Sequence, residues 1–78
     1  MQLPKDYNSD SEEVKTLSSK IKKSRTEKGY NIYSFSALLA IPEQQLKDIE
    51  SGKIPPDIYL FEKISRYTGK SMEWFFRE

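Results

Sequence analysis

The apolar residues of the chain recur at helical spacing, and no segment alternates with the two-residue period of a β-strand. Val14, Leu17 and Ile21 predict an amphipathic first helix that runs up to Gly29. Ser9, with a glutamate three residues after it, has the spacing of a capping box at the start of this helix.

Two short helices joined by a tight turn are predicted to follow. Asn31 can cap the first of them, and Pro42 interrupts its apolar pattern. The second begins near Glu43 and stops at Ser51 and Gly52. Two helices this short, with so few residues between them, predict a helix-turn-helix.

The last third of the chain predicts two more helices. Pro55 and Pro56 cannot continue a helix, and Asp57 offers a new cap for a fourth helix that ends at Gly69. Ser71 then caps a short final segment that is rich in aromatic residues. The pattern as a whole predicts an all-α fold with five helices.

Composition narrows the chemistry that such a fold can carry. The 78 residues suffice for one small domain, expected over residues 10–78 after a flexible N-terminal arm of residues 1–9. Cysteine and histidine are absent, which excludes thiolate and imidazole nucleophiles and the usual zinc ligands, so we expect no enzyme, cofactor or metal. The net charge is only +1, so any attraction to nucleic acid must come from local patches. No apolar run suits a membrane span or a signal peptide, and a cytoplasmic location is expected.

A set of residues between about positions 17 and 76 matches a known pattern without gaps. It comprises Arg25, 28–31, Phe35, 39–41, Leu46, 49–53 and 58–71. These residues resemble the DNA-binding domain of the phage repressor and Cro family, also called the Xre-type helix-turn-helix. The resemblance implies a five-helix bundle of the lambda-repressor type. Its core positions fall here on Ile21, Phe35, Leu39, Ile41, Leu46, Ile49, Ile58, Phe61, Ile64 and Phe75.

The resemblance assigns base recognition to the third helix, which in the family enters the major groove of double-stranded DNA. The positions that read base edges correspond here to Glu43, Gln44, Lys47 and Asp48. Gln44 suits adenine, Lys47 suits guanine, and Glu43 can accept from the amino group of cytosine. Two carboxylates here weaken the attraction to phosphates. Without the resemblance, the same residues would be interpreted as an ordinary solvent-exposed helix face.

Phosphate contacts are implied for residues around this helix. They correspond to Asn31, Tyr33, Gln45 and Lys53. Ile32 stands where the family usually has a glutamine that bonds the DNA backbone, and an isoleucine side chain cannot make that hydrogen bond. An apolar residue at this position also indicates a protein partner.

Other family features concern stability. The resemblance implies a structural ion pair between Arg25 and Glu50. Ala40 replaces the turn glycine and is expected to need a turn conformation other than the positive φ of a glycine. Pro42 removes a side-chain cap but pre-sets φ for the start of the next helix.

Three consecutive aromatic residues, Trp74, Phe75 and Phe76, are too dense for one face of a short helix. Phe75 matches a core position, which leaves Trp74 or Phe76 facing outward. An outward ring suggests self-association into a homodimer. The competing interpretation is that Trp74 packs over the first helix or the N-terminal arm.

Two functional hypotheses follow. The first is a sequence-specific transcription regulator, most simply a repressor, that binds operator DNA as a dimer. The second is a protein-interaction module on the same fold, such as an antirepressor or an antitoxin-like partner, that does not bind DNA. The near-neutral charge, Ile32, Glu43 and Asp48 favour the second hypothesis. A positive face on the second and third helices favours DNA binding, whereas an apolar or negative face favours a protein partner.

Overall fold

A computed structural model describes residues 12–77 of the protein. They form four α-helices, α1 (Glu12–Glu27), α2 (Ile32–Leu39), α3 (Glu43–Glu50) and α4 (Ile58–Thr68), and a 3₁₀ turn, Glu73–Phe76. No strand occurs within this described range, and the predicted all-α fold is confirmed. The predicted N-terminal arm and the Ser9 cap lie outside the described residues.

The fifth predicted helix is a single 3₁₀ turn. The backbone N–H of Trp74 donates to the Ser71 hydroxyl oxygen at 3.2 Å, so Ser71 does support its start. The element then spans only four residues. So short a segment closes one turn, and 3₁₀ geometry is common in pieces of this length. The lambda-repressor-like architecture is otherwise as expected.

Side-chain caps set the starts of two helices. The Ser34 backbone N–H donates to Asn31 Oδ1 at 2.7 Å, and the Asn31 N–H donates back to Ser34 Oγ at 3.0 Å. At α4, the Leu60 N–H donates to Asp57 Oδ1 at 2.8 Å. Both caps satisfy amides that have no partner inside the helix, and both residues cap as predicted.

The core lies where α1, α2, α3, α4 and the 3₁₀ turn meet. Its buried apolar residues are Ile21, Phe35, Leu39, Leu46, Ile49, Leu60, Phe61, Ile64 and Phe75. Ile41 is half-buried against this cluster. The core positions implied by the family resemblance therefore include every buried apolar residue of this cluster except Leu60.

The prediction that Ile58 belongs to the core is wrong, because its side chain is 60% exposed. The buried side of α4 is centred between Leu60, Phe61 and Ile64. At about 100° per residue, Ile58 lies roughly a third of a turn away from that centre. Leu60 fills the core in its place.

Arg25 and Glu50 join α1 to α3 through a buried ion pair. Arg25 Nε donates to Glu50 Oε2 at 2.7 Å, and Nη2 donates to Oε1 at 3.0 Å. The remaining nitrogen, Nη1, donates to the Tyr30 carbonyl oxygen at 2.8 Å. Both charged side chains are over nine-tenths buried, at 7% and 6% exposure. Two parallel bonds in this fork geometry fix orientation as well as distance.

Trp74 ties the 3₁₀ turn back to α1, as the competing interpretation of the aromatic cluster expected. Lys20 Nζ lies 4.2 Å from the centre of the Trp74 ring and donates to its backbone carbonyl at 3.3 Å. Lys70 Nζ lies 4.8 Å from the same ring centre and 3.3 Å from Glu27 Oε2. The half-buried indole is therefore held by two cations.

Ala40 adopts the conformation that a glycine would take, contrary to expectation. Its φ of 59° and ψ of 43° place it in the left-handed region, and no other non-glycine residue in the described range has a positive φ. Its neighbour Leu39 is buried and Ile41 packs against the core. Packing on both sides of the turn therefore overrides the backbone preference of alanine.

Replacing Ala40 with glycine should stabilise the domain. The left-handed conformation costs a non-glycine residue about 1–2 kcal/mol, and glycine avoids most of this cost. We expect Ala40→Gly to raise the free energy of unfolding by about 1 kcal/mol, measured by urea denaturation. As a matched control, Ala37→Gly, at an exposed position inside α2, should lower it by about 1 kcal/mol. A destabilising Ala40→Gly would contradict the strain argument.

Breaking the buried ion pair should cost far more than breaking an exposed one. Glu50→Ala leaves the Arg25 guanidinium buried without its partner, and we expect a loss of about 3–5 kcal/mol. Glu62→Ala removes an exposed pair with Arg66, with side chains 58% and 66% exposed, and should cost less than about 0.5 kcal/mol. Urea denaturation at low temperature measures both. Equal losses would show that burial of the pair contributes nothing.

Candidate nucleic-acid interface

The outward face of α3 presents the residues that the sequence assigned to base reading. Leu46 and Ile49 bury the opposite side of the helix. Gln44 lies nearly opposite these two residues, at the centre of the exposed face. Lys47 and Asp48 flank it, one on each side, and Glu43 precedes it at the first turn; only Asp48 among the four is half-buried.

Two of these side chains bond to each other. The Gln44 amide nitrogen Nε2 donates to Asp48 Oδ1 at 3.0 Å. The two residues are four positions apart, the spacing at which helix side chains meet. Gln44 is therefore held in one orientation at the centre of the face.

A basic groove runs between α3, α1 and the start of α2. It is lined by Lys22, Arg25, Ile32, Lys47, Glu50 and Ser51. Because Arg25 and Glu50 neutralise each other, Lys22 and Lys47 supply its net charge. Two exposed lysines beside an exposed helix suit the phosphates of a nucleic-acid backbone.

The three lysines near the middle of α1 have different surroundings. Successive helix residues lie about 100° apart, so Lys20 and Lys22 flank the buried Ile21 on opposite sides. Lys20 is engaged with Trp74, whereas Lys22 lines the groove beside Lys47. Lys23 is exposed and does not line the groove.

On its other flank, α3 borders a depression formed with α4. This depression is lined by Leu39, Ala40, Ile41, Gln45, Asp57, Tyr59, Leu60 and Lys63. Sequence reasoning placed Gln45 at the interface but missed Tyr59 and Lys63. Tyr59 and Lys63 are four residues apart on α4, a spacing that signals a shared face.

The residues predicted to contact phosphates at the start of α2 differ from one another in exposure and in the groups that remain available to a ligand. Tyr33 is 72% exposed, and its hydroxyl is accessible to a ligand. Asn31 uses its carbonyl oxygen for the cap, which leaves its amide N–H groups as the donors suited to a phosphate. Ile32 is half-buried against the core, on the wall of the basic groove.

Lys53 follows α3 directly and is exposed. Its backbone N–H donates to the Asp48 carbonyl oxygen at 2.9 Å, so the loop is tied to the end of the helix. The structure thus brings Lys22 and Lys53 next to Gln44 and Lys47 of α3.

The C-terminal turn carries the residue predicted to face outward. Phe76 is 58% exposed on the 3₁₀ turn, where its ring meets Phe61 edge to face at 5.6 Å between centres.

The two short helices, their tight turn and the lysines bordering α3 define a helix-turn-helix DNA-binding domain. A helix-turn-helix family model matches residues 21–75. The chain therefore belongs to the Xre-type, lambda-repressor-like helix-turn-helix family. This membership places it among DNA-binding transcription regulators. A comparison with curated proteins gave no match.

None of the helices in the described part of the chain is both long enough and apolar enough to cross a bilayer.

Lys22 should contribute to DNA binding without contributing to sequence preference. A lysine at a phosphate releases about one counterion, so Lys22→Ala should reduce the slope of log K against log salt by about 1. Fluorescence anisotropy with one duplex at several salt concentrations measures this slope. Lys23→Ala removes the same charge from the outer side of α1 and should change the slope much less. Identical effects would place Lys22 outside the interface.

Proposed function

We propose that this protein is a sequence-specific regulator that binds a two-fold operator as a homodimer and represses transcription by occupying it. The observation that carries the proposal is Gln44, held by Asp48 at the centre of the exposed face of α3. The adjacent basic groove supplies attraction to the DNA backbone. A reading side chain and a phosphate-binding flank are the two parts that specific recognition needs.

In this proposal α3 enters the major groove and its outward residues meet base edges. Gln44 pairs with adenine, Lys47 donates to guanine O6 or N7, and Glu43 accepts from cytosine N4. These three side chains are exposed on one face, as such contacts require.

Phosphates are bound on both sides of α3. Lys22 and Lys53 offer charges, and Tyr33 offers a hydroxyl at the start of α2. Beyond α3, Gln45 and Lys63 border the depression next to α4. Local placement of cations compensates for the net charge of only +1.

Dimerisation is proposed through the C-terminal turn. Phe76 is 58% exposed and extends from the core through its contact with Phe61. Trp74 is less available, because its ring is half-buried beneath Lys20 and Lys70. A two-fold dimer repeats one surface on both subunits and presents two copies of α3 to DNA.

The protein-interaction alternative loses part of its support. Ile32 packs against the core as the wall of a groove that also contains two lysines, so it adds little apolar surface. The acidic residues Glu43 and Asp48 remain, but Asp48 has a partner in Gln44.

Selection from a random duplex library tests the proposal. We expect wild-type protein to enrich a motif with two inverted half-sites about 10 base pairs apart, centre to centre. Gln44→Ala should weaken binding to that motif by about 1–3 kcal/mol and abolish the preference at one base pair of each half-site. Anisotropy with the selected and scrambled duplexes measures both effects.

Sedimentation of the protein with the selected duplex counts the bound copies. Two copies per duplex are expected. Enrichment of no motif would contradict sequence-specific binding, and one copy on a single half-site would contradict the dimer. Absence of binding even at low salt would favour the protein-interaction alternative.

A further inference from the structure

We infer that Asp48 is a positioning residue that orients the Gln44 amide to read the adenine of an A·T base pair. The inference deepens the proposed function and rests on it. In this inference the Asp48 carboxylate orients Gln44 and does not itself contact a base. It also explains why an acidic residue is compatible with a helix that meets phosphates.

The chemistry of the two groups sets the orientation of the amide. A carboxylate only accepts hydrogen bonds, so the NH₂ group of Gln44, and not its carbonyl oxygen, must face Asp48. This group has two hydrogens, and Asp48 occupies one of them. The second hydrogen and Oε1 remain, and they form the donor and acceptor pair that complements adenine N7 and N6.

Asp48 is itself anchored at the end of α3. Its backbone carbonyl accepts from the Lys53 N–H at 2.9 Å and from the Ser51 hydroxyl at 3.1 Å. Its side chain is half-buried, whereas Gln44 is exposed. The more buried residue therefore restrains the more exposed one, and Gln44 loses less conformational freedom when it binds.

A neighbouring depression points to the same base pair. Gln44 and Asp48 line it together with Pro42, Gln45 and Ile54. Pro42 and Ile54 give it apolar walls beside the amide. Among the four bases only thymine presents a methyl group in the major groove, and an apolar contact there favours A·T.

The experiment begins with the motif that wild-type protein selects from a random duplex library. Gln44→Ala then identifies the A·T pair whose preference depends on the amide. At that pair, Asp48→Ala should lower the preference for A·T by about threefold to tenfold, the factor expected when a flexible side chain must be ordered on binding. Asp48→Asn, which keeps an acceptor oxygen but removes the charge, should retain most of the preference.

Modified bases separate positioning from general electrostatics. Replacing the adenine with 7-deazaadenine removes N7, and it should weaken wild-type binding but leave Gln44→Ala unaffected. Its effect on Asp48→Ala should be intermediate. Deoxyuridine in place of the thymine should weaken binding modestly, since it lacks the methyl group.

A charge control completes the design. Glu43→Ala removes a carboxylate from the same helix face and should alter overall affinity and the preference at its own cytosine, but not the preference at the Gln44 base pair. Full retention of that preference by Asp48→Ala would overturn the inference while leaving the proposed function intact. Loss of preference at a different base pair would make Asp48 a base reader and also overturn it. Failure of wild-type protein to enrich any motif would overturn both.

Discussion

The ion pair between Arg25 and Glu50 is the contact on which the geometry of the interface depends. One guanidinium bonds the carboxylate at the end of α3 and the carbonyl of Tyr30, which lies in the connection just before α2. It therefore joins α1, the connection between α1 and α2, and the end of α3. Because both charges are withdrawn from water, neither can leave its partner without a large desolvation cost.

This ion pair determines which side chains of α3 are exposed to solvent. With the Glu50 side chain turned inward alongside Leu46 and Ile49, Gln44 must lie on the outside. The same pair lies in the basic groove, where it contributes no net charge. The field in the groove consequently comes from Lys22 and Lys47, and the structural and binding roles of the charges remain separate.

The turn before α3 shows how strongly packing controls the backbone here. It has neither the glycine nor the side-chain cap that the family commonly uses. Ala40 nevertheless takes a left-handed conformation, and Pro42, with φ of −62°, supplies a helix start without a side-chain hydrogen bond. Burial of Leu39 on one side and packing of Ile41 on the other impose the path, at a cost in strain.

The sequence by itself determined the helices and most of the core, because amphipathic spacing and caps such as Asn31 and Asp57 are local signals. It assigned base reading to the exposed residues of α3 only through the family resemblance. It could not show that Ile58 faces solvent or that Ala40 is left-handed, since both depend on how neighbouring elements pack. Nor could it separate Lys22 from Lys20, which carry the same charge two residues apart. Only the tertiary structure decided that one packs on Trp74 and the other faces the groove, because a helix directs nearby side chains toward different neighbours.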